Sequence, residues 1–391
     1  MSGGSLPEGL AVRLDALLAP VDARVIANGR ATKVTPSQPV HTAYVPADVY
    51  DSGTVREWGT AALALLHEHA PRADILGIDD EVYARVAAKL EREPVEDLRV
   101  DFEDGYGDRP ADEEDDHARA AGAALASPQT RASGLRIKSF EPATRARAVR
   151  TLDLLLTSVG RVPEGFVVTL PKVSAPEQVR AIAEVCAVVD ETFAGAPLRF
   201  ELQVETPAAV ARMAEIVAVA GSRCAGLHYG TYDYSAALGV AAAHQSLDHP
   251  VADHAKAVMQ VTAATAGIRV VDGSSNVLPT GDTDAVRAAW GLHMRLVDRS
   301  MRRGIYQGWD MHPGQLVSRY AAAFSFYRNG FSTAAARLRD YRARVSGGVL
   351  DEPATARALA GYLARGIECG ALDAAEVQQA TGLGRVELDA I

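Results

Sequence analysis

The strongest constraint on the fold is a regular alternation of short strand-like segments with longer helical segments, which begins near position 41 and continues to about position 330. Helical crossovers of this length join parallel strands. Eight such units predict the α/β class and, within it, a (β/α)8 TIM barrel. The predicted strands are 41–48, 97–107, 135–140, 166–173, 198–206, 225–233, 268–274 and 305–313.

The fifth predicted strand, L-R-F-E-L-Q-V-E-T at 198–206, has two chemically different faces, because successive side chains of a strand point to opposite sides. One face is apolar, and the other carries Arg199, Glu201, Gln203 and Glu205. A doubly wound open sheet is the competing fold, but its strands are apolar on both faces. A barrel strand that packs on helices outside and lines a polar interior explains the pattern better.

The length of 391 residues allows one large domain with an extension, or two domains. We divide the chain into a leader at 1–40 that packs on the barrel, a catalytic barrel at 41–330 and a helical extension at 331–391. The leader is predicted to form a helix at 6–18 and a loop at 29–39. The helices predicted after the last strand are 315–327, 332–345, 353–367 and 374–380. The extension is expected to be a lid or a subunit contact in a homo-oligomer.

The formal net charge of -10 argues against nucleic acid or an anionic membrane surface as a partner. The sequence shows no signal peptide and no apolar run of about 18 residues, so we expect a cytoplasmic protein. The three cysteines are scattered without C-x-x-C spacing, which indicates neither a disulfide framework nor a zinc ribbon. The expected partner is therefore a small molecule. The charge of its binding site depends on the nearby residues and not on the net charge of the chain.

Nearly every predicted strand ends in an ionisable residue, and barrel enzymes build their active sites at the C-terminal ends of the strands. Buried charges are costly unless they are paired or bound to a metal ion. If these ends converge, acids and bases must compensate one another or share a cation. The residues at these ends are Asp48, Glu103, Asp104, Arg136, Lys138, Lys172, Glu205, Asp233, Asp272 and His312.

Glu205 and Asp233 end consecutive strands and are predicted to lie side by side. Two carboxylates in such a place suit a hard divalent cation, Mg²⁺ or Mn²⁺. The alternative is that each residue only caps the helix that follows it. Arg136 is predicted to point into the barrel beside Glu103, where it holds a substrate carboxylate or a developing enolate, or simply forms an interior ion pair.

Lys172 and Lys138 raise a different possibility, a Schiff-base aldolase that works without metal. A third interpretation is a binding or assembly protein that uses the same barrel without catalysis. The residues assigned to catalysis are Arg136, Glu103, Asp104 and Lys172. Substrate binding is assigned to Arg136, Lys138, Asp272 and His312.

Seven short motifs occur in order along the chain from about position 42 to position 316. They are Y-V-P-A-D, D-F-E-D-G-Y, L-R-I-K, L-P-K-V, V-E-T-P, Y-G-T-Y-D-Y-S-A-A-L-G and W-D-M-H-P-G-Q. In this order, and each on its expected strand, they resemble the HpcH/HpaI aldolase and citrate lyase β-subunit superfamily. Lys138 stands where that superfamily has an asparagine, and Tyr234 where it has a leucine.

The resemblance implies a Mg²⁺-dependent carbon–carbon lyase on a barrel, acting by aldol or Claisen chemistry through an enolate. Its metal ligands fall on Glu205 and Asp233, and its enolate-stabilising arginine falls on Arg136, with Glu103 and Asp104 beside it. Substrates would be hydroxyacyl thioesters or 4-hydroxy-2-oxo acids. The general base stays unassigned, with three candidates in this chain and a neighbouring subunit as a further source. The candidates in the chain are Asp104, Asp272 and His312.

Overall fold

A computed structural model describes residues 10–31, 38–127, 129–343 and 352–391. Within these residues, eight parallel strands form one sheet in the order β7-β6-β5-β4-β3-β2-β1-β8, which confirms the predicted (β/α)8 barrel. The strands are β1 His41–Pro46, β2 Asp97–Asp101, β3 Ala132–Arg136, β4 Val167–Leu170, β5 Arg199–Val204, β6 Cys224–Tyr229, β7 Arg269–Val271 and β8 Gly308–Asp310.

The barrel closes between β7 and β8, the two ends of this strand order. β1 pairs in parallel with both β2 and β8. Between β7 and β8, two backbone hydrogen bonds take the place of a longer ladder: Asp272 N–H donates to the Gln307 carbonyl (2.8 Å), and Trp309 N–H donates to the Gly273 carbonyl (3.3 Å). The two shortest strands therefore meet at the seam, and the C-terminal ends of all eight strands face one mouth.

Helices surround the sheet and continue beyond it. Thr206 begins α8 by accepting a hydrogen bond from the Ala209 N–H (3.0 Å), and Pro207 occupies the first helical turn, where its missing N–H has no cost. None of the helices in the described residues is long and apolar enough to cross a membrane. The helices are α1 Leu10–Ala31, α2 Thr54–His69, α3 Ala73–Leu76, α4 Asp80–Arg92, α5 Ala111–Leu125, α6 Arg145–Val159, α7 Pro176–Thr192, α8 Pro207–Ala211, α9 Met213–Ala220, α10 Thr231–Ala237, α11 Pro250–Ala266, α12 Thr283–Arg302, α13 Pro313–Ala343, α14 Pro353–Cys369, α15 Ala374–Thr381 and α16 Arg385–Asp389.

The core lies between the outer face of the sheet and the helices, as the alternation in the fifth strand predicts. Phe200 and Leu202 of β5 are fully buried on that side. On the inner side of β5, Glu201 is also buried and accepts hydrogen bonds from Arg99 (2.8 and 3.0 Å). Its second partner is His228, whose Nε2 lies 3.0 Å from a Glu201 oxygen. Compensated charges therefore fill the barrel interior below the mouth.

The segment after β8 differs from its prediction. The helices predicted at 315–327 and 332–345 are one helix, α13, which passes through position 330; positions 344 and 345 lie outside the described residues. A Cβ on Gly330 would lie 2.2 Å from the Tyr362 hydroxyl, which donates to two carbonyls of α13. Gly330 thus allows close packing of α14 rather than ending a helix.

The leader also differs from its prediction. Helix α1 covers 10–31, so it extends through Pro20 and Gly29, both of which lie beyond the end of the predicted helix. Positions 6–9 of the predicted helix and 32–37 of the predicted loop lie outside the described residues. A single proline is compatible with this longer helix because it removes only one intrahelical hydrogen bond, at some cost in stability.

Gly134 in β3 provides a test of the barrel packing. A Cβ there would lie 1.9 Å from the Val167 carbonyl oxygen in β4, so Gly134→Ala must push the two strands apart. We expect the substitution to lower the free energy of unfolding by about 1–3 kcal/mol, measured by denaturant unfolding. Gly291→Ala is the matched control, because this exposed α12 glycine has no other element within 4 Å and alanine favours helix. Equal stability of Gly134→Ala and the parent protein would contradict this close contact between β3 and β4.

Candidate active site

A cavity of about 310 Å³ opens at the C-terminal end of the barrel. Its lining combines charged and polar side chains with aromatic and apolar side chains. The charged and polar residues include Asp101, Asp104, Arg136, Gln203, Glu205 and Asp233. The aromatic and apolar residues include Tyr44, Pro46, Trp309 and Met311.

Three carboxylates come together in this cavity. Each of Asp104, Glu205 and Asp233 offers one oxygen, and the three oxygens lie within 4.8 Å of one another. Glu205 directly follows β5, Asp233 lies in the first turn of α10, and Asp104 lies in the loop after β2. The two predicted metal ligands are therefore adjacent. Asp104, predicted as a catalytic residue, completes what we call the acidic trio.

Glu205 is held from two sides and is almost inaccessible to solvent. The Lys172 N–H donates to its Oε1 (2.6 Å), and the Gln203 amide donates to its Oε2. Burial, reinforced by the negative charge of nearby Glu103, raises the pKa of Glu205 to about 8. Neutral pH therefore favours the protonated form of this carboxyl group.

Gly230 explains why Asp233 can approach Glu205. A Cβ at position 230 would lie 2.5 Å from the Glu205 Cβ and 2.6 Å from its Oε2. Only glycine lets the chain that leaves β6 pass this close to the carboxylate. The start of α10, and with it Asp233, is thereby placed against the end of β5.

Arg136, at the end of β3, is fixed by several groups. Its Nε and one terminal nitrogen donate to the two oxygens of Asp101 (2.7 and 2.6 Å), and the other donates to Gln203 Oε1 (3.2 Å). The guanidinium also lies over the rings of Tyr44 (5.0 Å) and Trp309 (5.7 Å). Burial alone would lower the pKa of Arg136, but the Asp101 carboxylate holds that pKa well above its usual range.

The main partner of Arg136 differs from the sequence-based expectation. Glu103 is the predicted neighbour, and its carboxylate lies 3.4 Å from the arginine, yet Asp101 makes the bidentate contact. The alternation of β2 puts Asp101 and Glu103 on one face, so the sequence already indicated that Asp101 could reach Arg136. Asp101 is shared more widely, because it also accepts from the Glu103 and Gly105 N–H groups (both 2.9 Å) and so shapes the loop that carries Asp104.

Lys172 has an unusual backbone and three carboxylate contacts. Its φ of 54° is the one positive value for a non-glycine residue among the described residues, a conformation that costs about 1–3 kcal/mol. Its Nζ donates to Glu103 Oε1 and to Asp104 Oδ1 (2.9 Å), while its N–H holds Glu205. Burial would lower the pKa of Lys172, but the hydrogen bonds to Glu103 and Asp104 raise it.

Lys138, Asp272 and His312 do not line the cavity. The Lys138 ammonium donates to a carbonyl of the loop after β2 (3.2 Å). Asp272 is buried in an ion pair with Lys256 (3.1 Å), and the His312 Nδ1 accepts a hydrogen bond from the N–H two residues later (3.1 Å). Asp48, at the end of β1, pairs with an arginine near the surface. The assignment of Lys138, Asp272 and His312 to substrate binding therefore stays a prediction, because none of the three lines this cavity.

The sequence did not lead us to assign the aromatic residues of the cavity, Tyr44 and Trp309, to the site. The Trp309 indole N–H donates to His228 Nδ1 (3.0 Å), and the Nε2 of the same histidine lies 3.0 Å from Glu201, so the indole ring is anchored to the interior charges. Tyr44 packs on Trp309 with ring centroids 4.5 Å apart. The alternation of β1 could have placed Tyr44 inside the barrel, but nothing local indicates that Trp309 would meet it.

The fold and this cavity define a TIM-barrel protein with an arginine-flanked acidic centre at the C-terminal ends of its strands. The chain belongs to the family described as "Domain of unknown function (DUF6986)", whose model matches residues 18–391. No curated protein matches the sequence.

Two solved structures show the same fold. A citrate lyase from Burkholderia xenovorans LB400 is 21% identical, with 92% of this chain and 98% of that chain covered and a TM-score of 0.61. The protein CitE from Mycobacterium tuberculosis, in complex with magnesium, acetoacetate and coenzyme A, is 20% identical, with 86% and 100% covered and a TM-score of 0.52. These likenesses confirm the fold that the resemblance to the citrate lyase β-subunit superfamily implied.

The raised pKa of Glu205 predicts a pH-dependent stability. Its pKa is about 8 in the folded protein and near 4.5 when exposed, so between these values the folded state holds more protons than the unfolded state. Stability contributed by this group therefore falls as pH rises from about 5 to about 8. We expect Glu205→Gln to gain stability relative to the parent protein across this window, measured by thermal unfolding in EDTA. Parallel pH profiles for the two proteins would contradict a Glu205 pKa of about 8 in the folded state.

Proposed function

We propose that the chain is a Mg²⁺-dependent carbon–carbon lyase that cleaves or forms a bond next to a carbonyl group through an enolate. The proposed substrates are hydroxyacyl thioesters or 4-hydroxy-2-oxo acids. The observation that carries the proposal is the meeting of the acidic trio and the fixed guanidinium of Arg136 in one cavity. A site of this kind can bind the oxygens of a substrate from one side and stabilise negative charge from the other.

The acidic trio fits a hard divalent cation. Carboxylate oxygens are the ligands that Mg²⁺ and Mn²⁺ prefer, and Mg²⁺ usually keeps further positions for water and substrate oxygens. An ammonium group, that of Lys172, already lies on Asp104, so positive charge is accommodated there. The magnesium and acetoacetate of the Mycobacterium tuberculosis structure of the same fold support this assignment. Glu205 and Asp233 would be ligands, with Asp104 as the third.

The acidic trio, Arg136 and the aromatic residues each have a chemical role in this proposal. A divalent cation bound by the trio would polarise a carbonyl or carboxylate oxygen of the substrate. Arg136 holds its charge in place before the substrate arrives, because Asp101 and Gln203 fix the guanidinium; such preorganised charge favours an enolate oxygen. Tyr44 and Trp309 support the flat face of Arg136 and present an apolar surface to the remainder of the substrate.

The general base must reach the hydroxyl group of the adduct. Of the three candidates from sequence, Asp104 lines the cavity, whereas Asp272 is engaged with Lys256 and His312 lies outside. The geometry therefore favours Asp104 within this chain, acting directly or through a bound water with the carboxylate oxygen that would not bind the metal. A residue of a neighbouring subunit remains the alternative source of this proton transfer.

The metal-free Schiff-base alternative needs a neutral lysine beside the substrate. Lys172 contacts Asp104 and Glu205, which line the cavity, but does not line it itself. Its ion pairs with Glu103 and Asp104 favour the charged ammonium and raise its pKa. Borohydride trapping with substrate would detect a Schiff base. The metal-dependent proposal expects no trapped adduct.

The proposal is tested by screening coenzyme A thioesters against free oxo acids for cleavage, with Mg²⁺ and with EDTA. We expect turnover only with the metal, and at least a hundred-fold loss of kcat/KM in Glu205→Gln and Asp233→Asn, because each removes one charged ligand. Arg212→Lys, in an exposed ion pair on the outer surface, is the control for handling and folding. Full activity in EDTA would contradict a metal-dependent lyase. Substrate binding without turnover in every protein would instead favour a binding protein.

Arg136→Lys separates enolate stabilisation from metal binding. Lysine keeps the charge but loses the bidentate contact with Asp101 and the planar stacking on Tyr44 and Trp309. We expect kcat to fall by about 10²–10³, as for loss of one oxyanion donor, with the Kd for Mn²⁺ nearly unchanged. Steady-state kinetics and Mn²⁺ titration measure the two quantities. A large loss of Mn²⁺ affinity would indicate that Arg136 acts on the structure of the trio instead.

A further inference from the structure

Lys172 touches the acidic trio at two points. Its N–H donates to Glu205 Oε1 (2.6 Å), and its ammonium donates to Asp104 Oδ1 (2.9 Å). The same ammonium also contacts Glu103, whose carboxylate is buried. The left-handed backbone of Lys172, with φ of 54°, turns its N–H toward Glu205 while its side chain crosses to the loop after β2.

The charged groups around Lys172 indicate what its contact with Asp104 does. Arg136 binds both oxygens of Asp101 and lies 3.4 Å from Glu103, and the trio adds three further carboxyl groups. Among the described residues, Lys172 is the cation in ion-pair contact with Asp104. The ammonium group bound to Asp104 therefore occupies a carboxylate that a divalent cation would need as a ligand.

We propose that Lys172 is a built-in counter-ion of this metal centre. Its ammonium neutralises Asp104 when no divalent cation is bound, and leaves Asp104 when the cation enters, while keeping its contact with Glu103. This inference rests on the proposed function, because it assumes that the trio is the metal centre. Lys172 is then a positioning residue that acts through carboxylates, and its backbone N–H holds Glu205 in both states.

The side chain can make this movement. Lys172 is 29% exposed and Asp104 is 51% exposed, so their contact is accessible to solvent. Glu103 is 7% exposed and provides a fixed second partner. A flexible four-carbon chain can release one carboxylate while retaining the other. The ammonium therefore competes with the cation for Asp104, and removing it should strengthen cation binding.

Binding of Mn²⁺ to the full chain, measured by electron paramagnetic resonance and calorimetry, tests the proposal. We expect Lys172→Met to bind Mn²⁺ about ten-fold more tightly than the parent protein, because a competing charge is gone. In EDTA the variant should unfold at a lower temperature, and saturating Mn²⁺ should close that gap. Lys172→Gly is the second variant, since glycine suits the positive φ and keeps the N–H that holds Glu205.

Two controls complete the design. Lys172→Arg keeps the charge and should bind Mn²⁺ like the parent protein. Arg180→Met removes an exposed cation that pairs with Glu177 on α7, and should leave the Kd unchanged. Equal or weaker Mn²⁺ binding by both Lys172→Met and Lys172→Gly would overturn the counter-ion role while leaving the metal centre intact. Absence of Mn²⁺ binding by the folded parent protein would overturn the metal centre and this inference together.

Discussion

Charge compensation inside a closed barrel is the constraint on which the structure depends. The inner faces of the strands carry acids and bases that cannot reach water, so each must find a partner of opposite charge or accept a shifted pKa. Arg99 compensates Glu201 in the interior, and Arg136 compensates Asp101 nearer the mouth. These pairs join neighbouring or facing strands, and so they also fix how the strand ends converge.

At the mouth of the barrel the carboxyl groups outnumber the cations that pair with them, and this imbalance defines the site. Glu205 lies in a buried position without an ion-pair partner among the described residues, while Lys172 is divided between Glu103 and Asp104. A protein interior tolerates such a carboxyl group when it is protonated or when a cation arrives. The proposed metal chemistry follows from this surplus of carboxyl groups beside a guanidinium that is already fixed.

Much of the site was predictable because the period of a strand links position to direction. The alternation around Glu205 and Arg136 indicated inward-pointing groups, and the proximity of Glu205 and Asp233 followed from consecutive parallel strands. Position at a strand end did not place Lys138, Asp272 and His312 in the lining of the cavity, since a residue just beyond a strand can turn toward the cavity or away from it. Asp272 turns to Lys256, a partner on α11 that no local pattern reveals.

The sequence by itself determined the eight β/α units, the polar inner faces and the acidic ends of the strands, because these depend on periodicities that act over a few residues. Only the tertiary structure decided which charges meet. Asp101 rather than Glu103 holds Arg136 in two hydrogen bonds, Asp104 joins Glu205 and Asp233, and Trp309 supports the arginine. These contacts join residues far apart in the chain, and their geometry depends on barrel closure, on Gly230 and on the backbone of Lys172.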